Sequence, residues 1–203
     1  MKLKKSTWFL VFLATILGGW VYFYEVKLEA QKKAVEQQAQ KIFNFDAKNI
    51  QKITISLSNS TLARSPNSAE TDLSPTFLEL VKTPNQSSSW LMKQPETFAI
   101  NQGVISFLLN LIEQGTTERK LLITKDQLSQ YGLDQPVASI TIQLNNQQTY
   151  QLLLGKETLN PEVIYAQINP TVVNSNKTEV LLVSKNWHYA VLRKIEEWKD
   201  FKP

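Results

Sequence analysis

Beyond residue 43 the chain carries short runs in which apolar and polar residues alternate, a pattern typical of strands with one buried face. In ITISL, for example, Ile53, Ile55 and Leu57 fall on one face. The segments TFLELVKT, SSWLMKQP and RKLLI predict three further strands in the first part of the chain. A second group of strands is predicted from ASITIQL, QTYQLLLG, EVIYAQI and EVLLVSK.

Each group of strands is followed by a segment whose apolar residues recur at helical spacing. Asn101 is the predicted N-cap of the first helix, and Gly115 is its predicted end. The apolar positions are Val104, Phe107, Leu108, Leu111 and Ile112 in the first helix, and Trp187, Val191, Ile195 and Trp198 in the second. This order of elements predicts an α+β domain over residues 44–203, built from two antiparallel-strands-then-helix units at 44–125 and 131–203.

The register of one predicted hairpin follows from its apolar residues. A three-residue loop over 145–147 pairs Ile142 with Tyr150 and Ile140 with Leu152, which aligns the apolar faces. A two-residue turn would instead place Ile142 opposite Thr149. We therefore predict the three-residue loop, with an asparagine in the left-handed region.

Residues 8–24, WFLVFLATILGGWVYFY, contain no charged side chain and predict an N-terminal transmembrane helix. The segment would be roughly 26 Å long at about 1.5 Å per residue. Trp8, Trp20, Tyr22 and Tyr24 fall near its two ends, as expected of membrane-interface residues. A cleaved signal peptide is the alternative, but its apolar region is usually about 7–15 residues long and ends at a small-residue cleavage site. We therefore expect a tail and retained anchor over residues 1–24.

The residues that follow the anchor predict a helical stalk. Residues 25–43 are rich in Glu, Lys, Gln and Ala and contain neither Gly nor Pro. Three lysines precede the apolar run, which favours a cytoplasmic N-terminus and a domain in the periplasm or another extracytoplasmic space. Lys27, Lys32 and Lys33 equal them in number, so the bias is small. A thylakoid membrane with a lumenal domain is the alternative location.

The distribution of charge changes how the basic pI of about 9.1 is interpreted. Residues 1–43 contain seven Lys and three Glu, which accounts for the net charge of +4 of the whole chain. The remaining residues are neutral as a set, whereas binding to phosphate backbones requires a basic surface. We therefore expect no nucleic-acid partner. Because the sequence contains no Cys, disulfides, thiolate metal sites and cysteine nucleophiles are excluded.

No group of residues in the sequence predicts catalysis or cofactor binding. His188 is the single histidine, and no nucleophile or orienting carboxylate is placed near it in the sequence. Asp126 lies in a capping box opened by Thr124, and Asp134 lies in a turn, so local backbone bonds explain both. We therefore expect no enzyme activity, no cofactor and no metal.

The segment LSQYGLDQP at residues 128–136 is the most specific motif in the chain and contains Tyr131, Gly132, Leu133, Asp134 and Pro136. Together with IFNFDAKNIQKITI at 42–55, the tryptophan strand that ends in KQP, and LLLG at 152–155, it resembles the bacterial domain of unknown function 4340 family. The resemblance extends over about residues 42–200, and the serine-rich segment 58–75 departs from the family pattern. It implies an N-terminal anchor followed by this domain, an association with membrane transport systems, and no established catalytic residue. The glutamine-rich composition suggests a cyanobacterial member.

These observations predict a membrane-tethered, non-catalytic interaction or accessory module of a membrane or envelope assembly. Its expected partners are the lipid bilayer and other membrane or envelope proteins. The alternative is a domain that binds a ligand or an envelope polymer, with Trp90, Trp187 and Trp198 lining a groove. Core packing is the preferred interpretation of these tryptophans. For the YGLDQP motif we expect a structural join in which Gly132 has a positive φ.

Overall fold

The computed structural model describes residues 13, 15, 16, 18–20, 22, 40–58, 77–83, 89–170 and 176–200. The chain divides into two compact units, Met1–Gln40 and Lys41–Pro203. In the first unit the described residues are helical. The second unit contains the strands, and it carries the candidate site.

The second unit is built around a single antiparallel sheet. Its described strands are β1 (Ile50–Leu57), β2 (Phe77–Lys82), β3 (Trp90–Gln94), β4 (Phe98–Ala99), β5 (Thr117–Thr124), β6 (Ala138–Leu144), β7 (Thr149–Glu157), β8 (Val163–Ile168) and β9 (Lys177–Ser184). They lie in the order β4-β3-β2-β1-β6-β7-β8-β9-β5. Most neighbours in the sheet are neighbours in sequence, but β6 pairs with β1, and β5 crosses to the far edge to pair with β9.

Short helices flank the sheet. They are α1 (Gln102–Gln114), α2 (Asn186–Val191) and α3 (Ile195–Trp198), with two 3-10 helices, η1 (Ala47–Asn49) and η2 (Lys125–Tyr131). The predicted ends of α1 are confirmed. The Asn101 side chain accepts hydrogen bonds from the N–H groups of Gly103 at 2.9 Å and Val104 at 3.3 Å. Gly115 ends the helix, and its N–H donates to the Leu111 carbonyl at 2.8 Å.

The main hydrophobic core lies between one face of the sheet and the helices. At the centre of the sheet, Ile53 and Ile55 of β1 lie opposite Ile142 and Ile140 of β6, and all four side chains are fully buried. The helices contribute Ile105, Leu108, Ile112, Trp187 and Trp198 to the same core. Full burial of one such side chain contributes about 1.5–3 kcal/mol, so the β1–β6 pairing is a major source of stability.

The expected fold class, an N-terminal transmembrane helix plus an α+β domain of two antiparallel-strands-then-helix units, is wrong. The protein is mostly one antiparallel sheet, with nine described strands and few helices. β1 from the first predicted group pairs with β6 from the second, and β5 leaves the first group to pair with β9. Joining the two groups pairs strand edges that two separate sheets would leave exposed.

The described residues also do not show the predicted transmembrane helix. Most of residues 8–24, including Trp8 and Tyr24, lies outside the described residues, as does most of the predicted stalk. Trp20 and Tyr22 are described, and both are helical and exposed. Among the described residues, no helix combines the length and the apolar character needed to cross a membrane.

The predicted hairpin register is confirmed, whereas the predicted C-terminal helix is broken. β6 and β7 pair Ile142 with Tyr150 and Ile140 with Leu152 across the three-residue loop. The left-handed residue of that loop is Gln147, with φ 70°, and not an asparagine. The segment predicted as one helix over 186–198 forms α2 and α3 as separate helices, because the backbone leaves the helical region at Leu192 (φ −86°, ψ 62°).

Candidate interaction site

The YGLDQP motif forms a tight turn at the C-terminal end of η2. Gly132 has φ 68° and ψ 29°, which confirms the predicted positive φ. Glycine adopts this left-handed conformation without the steric cost that a Cβ brings. The N–H of Gly132 donates to the Ser129 carbonyl at 3.1 Å, and the N–H of Leu133 donates to the Leu128 carbonyl at 3.1 Å. The turn therefore ends η2 and leads the chain towards β6.

The turn packs closely against β7 at a pair of residues in which the strand is irregular. A Cβ on Gly155 would collide with the carbonyl oxygen of Tyr131 and would lie 3.2 Å from the Leu133 side chain. A Cβ on Gly132 would lie 3.0 Å from the backbone nitrogen of Lys156. The pairing of β7 with β8 shifts register between residues 154 and 157, at the same place. The structure thus brings together two segments that carry the family resemblance, YGLDQP and LLLG.

His188 contacts the same part of β7. Its Nε2 lies 3.2 Å from the carbonyl oxygen of Gly155, and since a carbonyl can only accept, the neutral ring carries its proton on Nε2. Burial lowers the pKa of His188 below its ordinary value of 6.5, although the Gly155 carbonyl and Glu157 oppose this shift. The hydrogen bond from Lys185 to Glu157, at 2.7 Å, lowers the pKa of Glu157 and raises that of Lys185. His188 is therefore engaged in a structural hydrogen bond to the backbone.

A small hydrophobic cluster, which we call the back-face cluster, lies under the turn and η2, separate from the main core. Tyr131 of the turn meets Tyr165 of β8 edge to face, with ring centroids 4.9 Å apart. The buried members of the cluster are Ile123, Leu133 and Val180, and the half-buried members are Leu121, Leu128, Tyr131, Leu153 and Tyr165. The cluster packs the turn and η2 against β5 and the neighbouring strands of the sheet.

The polar residues expected to have local structural roles behave differently from one another. The capping box is present, since the Gln127 side chain accepts from the Thr124 N–H at 3.1 Å. Asp134 is exposed, and its carboxylate accepts no hydrogen bond from a described residue, so the backbone bond expected for it is not observed. Pro136 is half-buried and precedes Val137, whose N–H donates to the Leu154 carbonyl at 2.8 Å. Asp134 is thus held on the surface by the backbone of a rigid turn.

β5 supplies a surface that the sequence pattern did not lead us to expect. Its inner edge pairs with β9 from Thr117 to Thr124. Along its outer side, the pairing found among the described residues is a single bridge between Lys41 and Thr116, just before the strand. The side chain of Leu122 is 70% exposed. The run of three apolar residues at 121–123 could have indicated this surface. Adjacent residues of a strand point to opposite faces, so the three side chains cannot all enter one cluster.

The remaining candidate residues do not form a binding centre in the described part of the chain. Trp90, Trp187 and Trp198 are buried in the main core, which confirms core packing as their role and leaves no tryptophan of this set to line an exposed groove. Among the described residues, no group of three or more His, Asp or Glu side chains is arranged to hold a metal ion. The site therefore consists of the turn, η2 and the β5 edge.

Comparison with known proteins agrees with the resemblance seen in the motif. A family described as Domain of unknown function (DUF4340) matches residues 90–203, which is more than half of the chain. The match begins at β3, so it is shorter than the range over which the sequence motifs suggested a resemblance. No curated protein and no solved structure gives a significant match. The chain belongs to the DUF4340 family.

Proposed function

We propose that the chain is a non-catalytic interaction module of a membrane or envelope assembly, held at the membrane through its N-terminal apolar segment. The observation that carries the proposal is the outer edge of β5, which the described residues leave unpaired beyond Thr116, together with the exposed side chain of Leu122. Its partners are other membrane or envelope proteins.

An exposed strand edge is a chemically defined surface for a protein partner. It presents a row of N–H and C=O groups with which a second chain can form strand pairing. β5 is held on its inner side by β9 and on one face by Leu121 and Ile123 in the back-face cluster. Because the strand is already ordered, a partner that pairs with it pays little of the entropy that ordering a loop would cost.

The membrane part of the proposal is supported by residues 8–24. The segment carries no charge and contains five aromatic residues between Phe9 and Phe23, in addition to its terminal Trp8 and Tyr24. Of its described residues, Leu13, Ile16, Trp20 and Tyr22 expose large apolar side chains. In a segment without charged residues, exposed apolar side chains of this kind favour a contact with lipid or protein. We place the Lys41–Pro203 unit on the extracytoplasmic side, because three lysines precede the segment.

The test compares what co-purifies with the tagged full chain and with two matched variants in mild detergent. Leu122→Lys places a charge on the β5 edge, whereas Leu159→Lys makes the same change at a fully exposed loop position between β7 and β8. We expect a specific partner to be lost with Leu122→Lys and kept with Leu159→Lys. The proposal is wrong if both variants retain the same partners as the wild type, or if the wild type retains none.

A further inference from the structure

We infer that the outer edge of β5 accepts an extended segment of a partner protein that carries a carboxylate and an apolar residue three positions apart. This inference rests on the proposed function and specifies the chemistry of the partner. The added segment would extend the sheet beyond β5, its present edge strand. Pairing of main-chain groups would supply affinity, and the side chains of β5 would supply selectivity.

The carboxylate is inferred from the charges along β5. Arg119 is exposed, and no described carboxylate forms an ion pair with it. The next residue, Lys120, is already paired with Glu179 at 3.4 Å. Arg119 is therefore the cation of this strand that remains available to a partner. Its guanidinium suits a carboxylate in particular, because the two groups can form paired N–H···O bonds.

The apolar residue and the spacing are inferred from Leu122. Side chains alternate along a strand, so Arg119 and Leu122 project from opposite faces of β5. A strand that pairs alongside β5 places its own side chains beside both, and residues three apart on that strand also project from opposite faces. An apolar side chain opposite Leu122 would cover a group that is now 70% exposed. The two requirements together define the segment.

A second copy of this chain is a poor occupant of the same edge. In antiparallel self-pairings that overlap at least six of the eight residues of β5, Glu118 never lies opposite Arg119 or Lys120. These registers place the cations opposite apolar residues, opposite Thr124, opposite each other or, for Lys120, opposite its own copy. Like charges directly opposite each other are destabilising. The charges on β5 thus discourage self-association, and they favour a partner whose segment is acidic.

The experiment titrates the detergent-solubilised full chain with labelled peptides of about the length of β5, made of Thr and Val with an Asp and a Leu three positions apart. A matched peptide carries Lys in place of Asp. Fluorescence anisotropy gives affinity, and amide hydrogen exchange reports on β5. We expect the Asp peptide to bind about threefold or more tightly than the Lys peptide and to slow exchange in β5.

Charge reversal in the protein provides the decisive comparison. Arg119→Glu is expected to reverse the preference so that the Lys peptide binds more tightly. Lys93→Glu makes the same change of charge at an exposed position on β3, near the opposite edge of the sheet, and should keep the preference for Asp. Equal binding of both peptides to the wild type, an unchanged preference in Arg119→Glu, or no slowing of exchange in β5 would overturn the inference. The proposed function would survive these results if Leu122→Lys still lost its co-purifying partner.

Discussion

At the scale of single residues, Gly155 connects the motif turn to helix α2. The carbonyl of Tyr131 approaches Gly155 too closely for any side chain, and the carbonyl of Gly155 accepts a hydrogen bond from His188. A change at one of these residues therefore has consequences for the other two. The close packing of Tyr131 on Gly155 and the hydrogen bond from His188 to Gly155 both stabilise the turn that carries Asp134.

Replacing Gly132 by valine is expected to destabilise the domain by about 1–3 kcal/mol. A β-branched residue would have to adopt φ 68°, and its Cβ would lie 3.0 Å from the Lys156 nitrogen. Urea unfolding curves of the wild type and the variant measure the difference. Asp134→Asn is the matched control within the same turn, and because Asp134 is exposed without a described partner, we expect a change within about 0.5 kcal/mol. A Gly132→Val variant as stable as the wild type would contradict the structural role of the turn.

The lowered pKa of His188 leads us to expect that the free energy of unfolding decreases in mildly acidic solution. Its pKa in the folded protein lies below the ordinary 6.5, so the unfolded chain takes up the proton first as the pH falls. The stability that the neutral ring contributes is complete above about pH 6.5 and is lost as the pH falls from there through the folded-state pKa. Unfolding midpoints measured across this range should decrease, and His188→Gln should flatten the decrease because glutamine does not titrate.

Glu157 and Lys185 are the charged groups that shift the pKa of His188, so the pH dependence of stability requires a control at this pair. The pKa of Glu157 is lowered from 4.5 by the hydrogen bond from Lys185, so stability linked to this carboxylate is present above 4.5 and is lost at more acidic pH. Glu157→Gln should therefore keep most of the decrease that begins near pH 6.5. If Glu157→Gln flattens that decrease and His188→Gln does not, the assignment to His188 is wrong.

Residue roles that depend on local backbone chemistry were predictable from the sequence. The positive φ of Gly132, the cap at Asn101 and the capping box at Thr124 each involve groups within a few positions of each other. The contact of His188 with Gly155 was not predictable, because it joins residues 33 positions apart that only the packing of α2 and β7 brings together. Asp134 shows that local chemistry does not always decide the outcome. Its carboxylate could accept a backbone hydrogen bond within the turn, but it accepts none from a described residue.

At the scale of elements, α1 offers a test of how its N-terminus is stabilised. Asn101→Ala removes the side-chain oxygen that accepts from Gly103 and Val104, and we expect a loss of about 1 kcal/mol. The same substitution at Asn110, which is exposed within α1, should be neutral or slightly stabilising because alanine has the higher helix propensity. Urea unfolding of the two variants makes the comparison. Equal effects at both positions would show that the cap contributes little.

The alternation of apolar and polar residues identified the strands more reliably than helical periodicity identified the last helix. The period of two in β6 and β7 fixed both their faces and their register. The stripe of Trp187, Val191, Ile195 and Trp198 fits a continuous helix, but two short helices with a break at Leu192 bury both tryptophans as well. Periodicity specifies which side chains are buried, and it does not require that the backbone between them be continuous.

At the scale of the whole molecule, the sequence did not reveal which strands that are distant in sequence are neighbours in the sheet. Ile53 and Ile55 were predicted to share a buried face, but nothing in that pattern selects β6 as the adjacent strand. The pairing of β5 with β9 was also not predictable, because it depends on the burial of Leu121 and Ile123 against residues of later strands. The outer edge of β5, which the proposed function uses, is a product of this topology.

The two compact units lead to a prediction for the behaviour of the whole chain. The Lys41–Pro203 unit contains the complete described sheet and both hydrophobic clusters, so a fragment of residues 41–203 should unfold at the same temperature as this unit within the full chain. If residues 8–24 hold the protein at a membrane, the full chain should sediment with membranes and resist extraction by alkaline carbonate, whereas the fragment should remain in the supernatant. Scrambling the order of residues 25–40 changes the intervening sequence but keeps the apolar segment, and it should leave sedimentation unchanged. Release of the full chain by carbonate would contradict the membrane part of the proposed function, and a lower unfolding temperature of the fragment would show that the sheet depends on residues before Lys41.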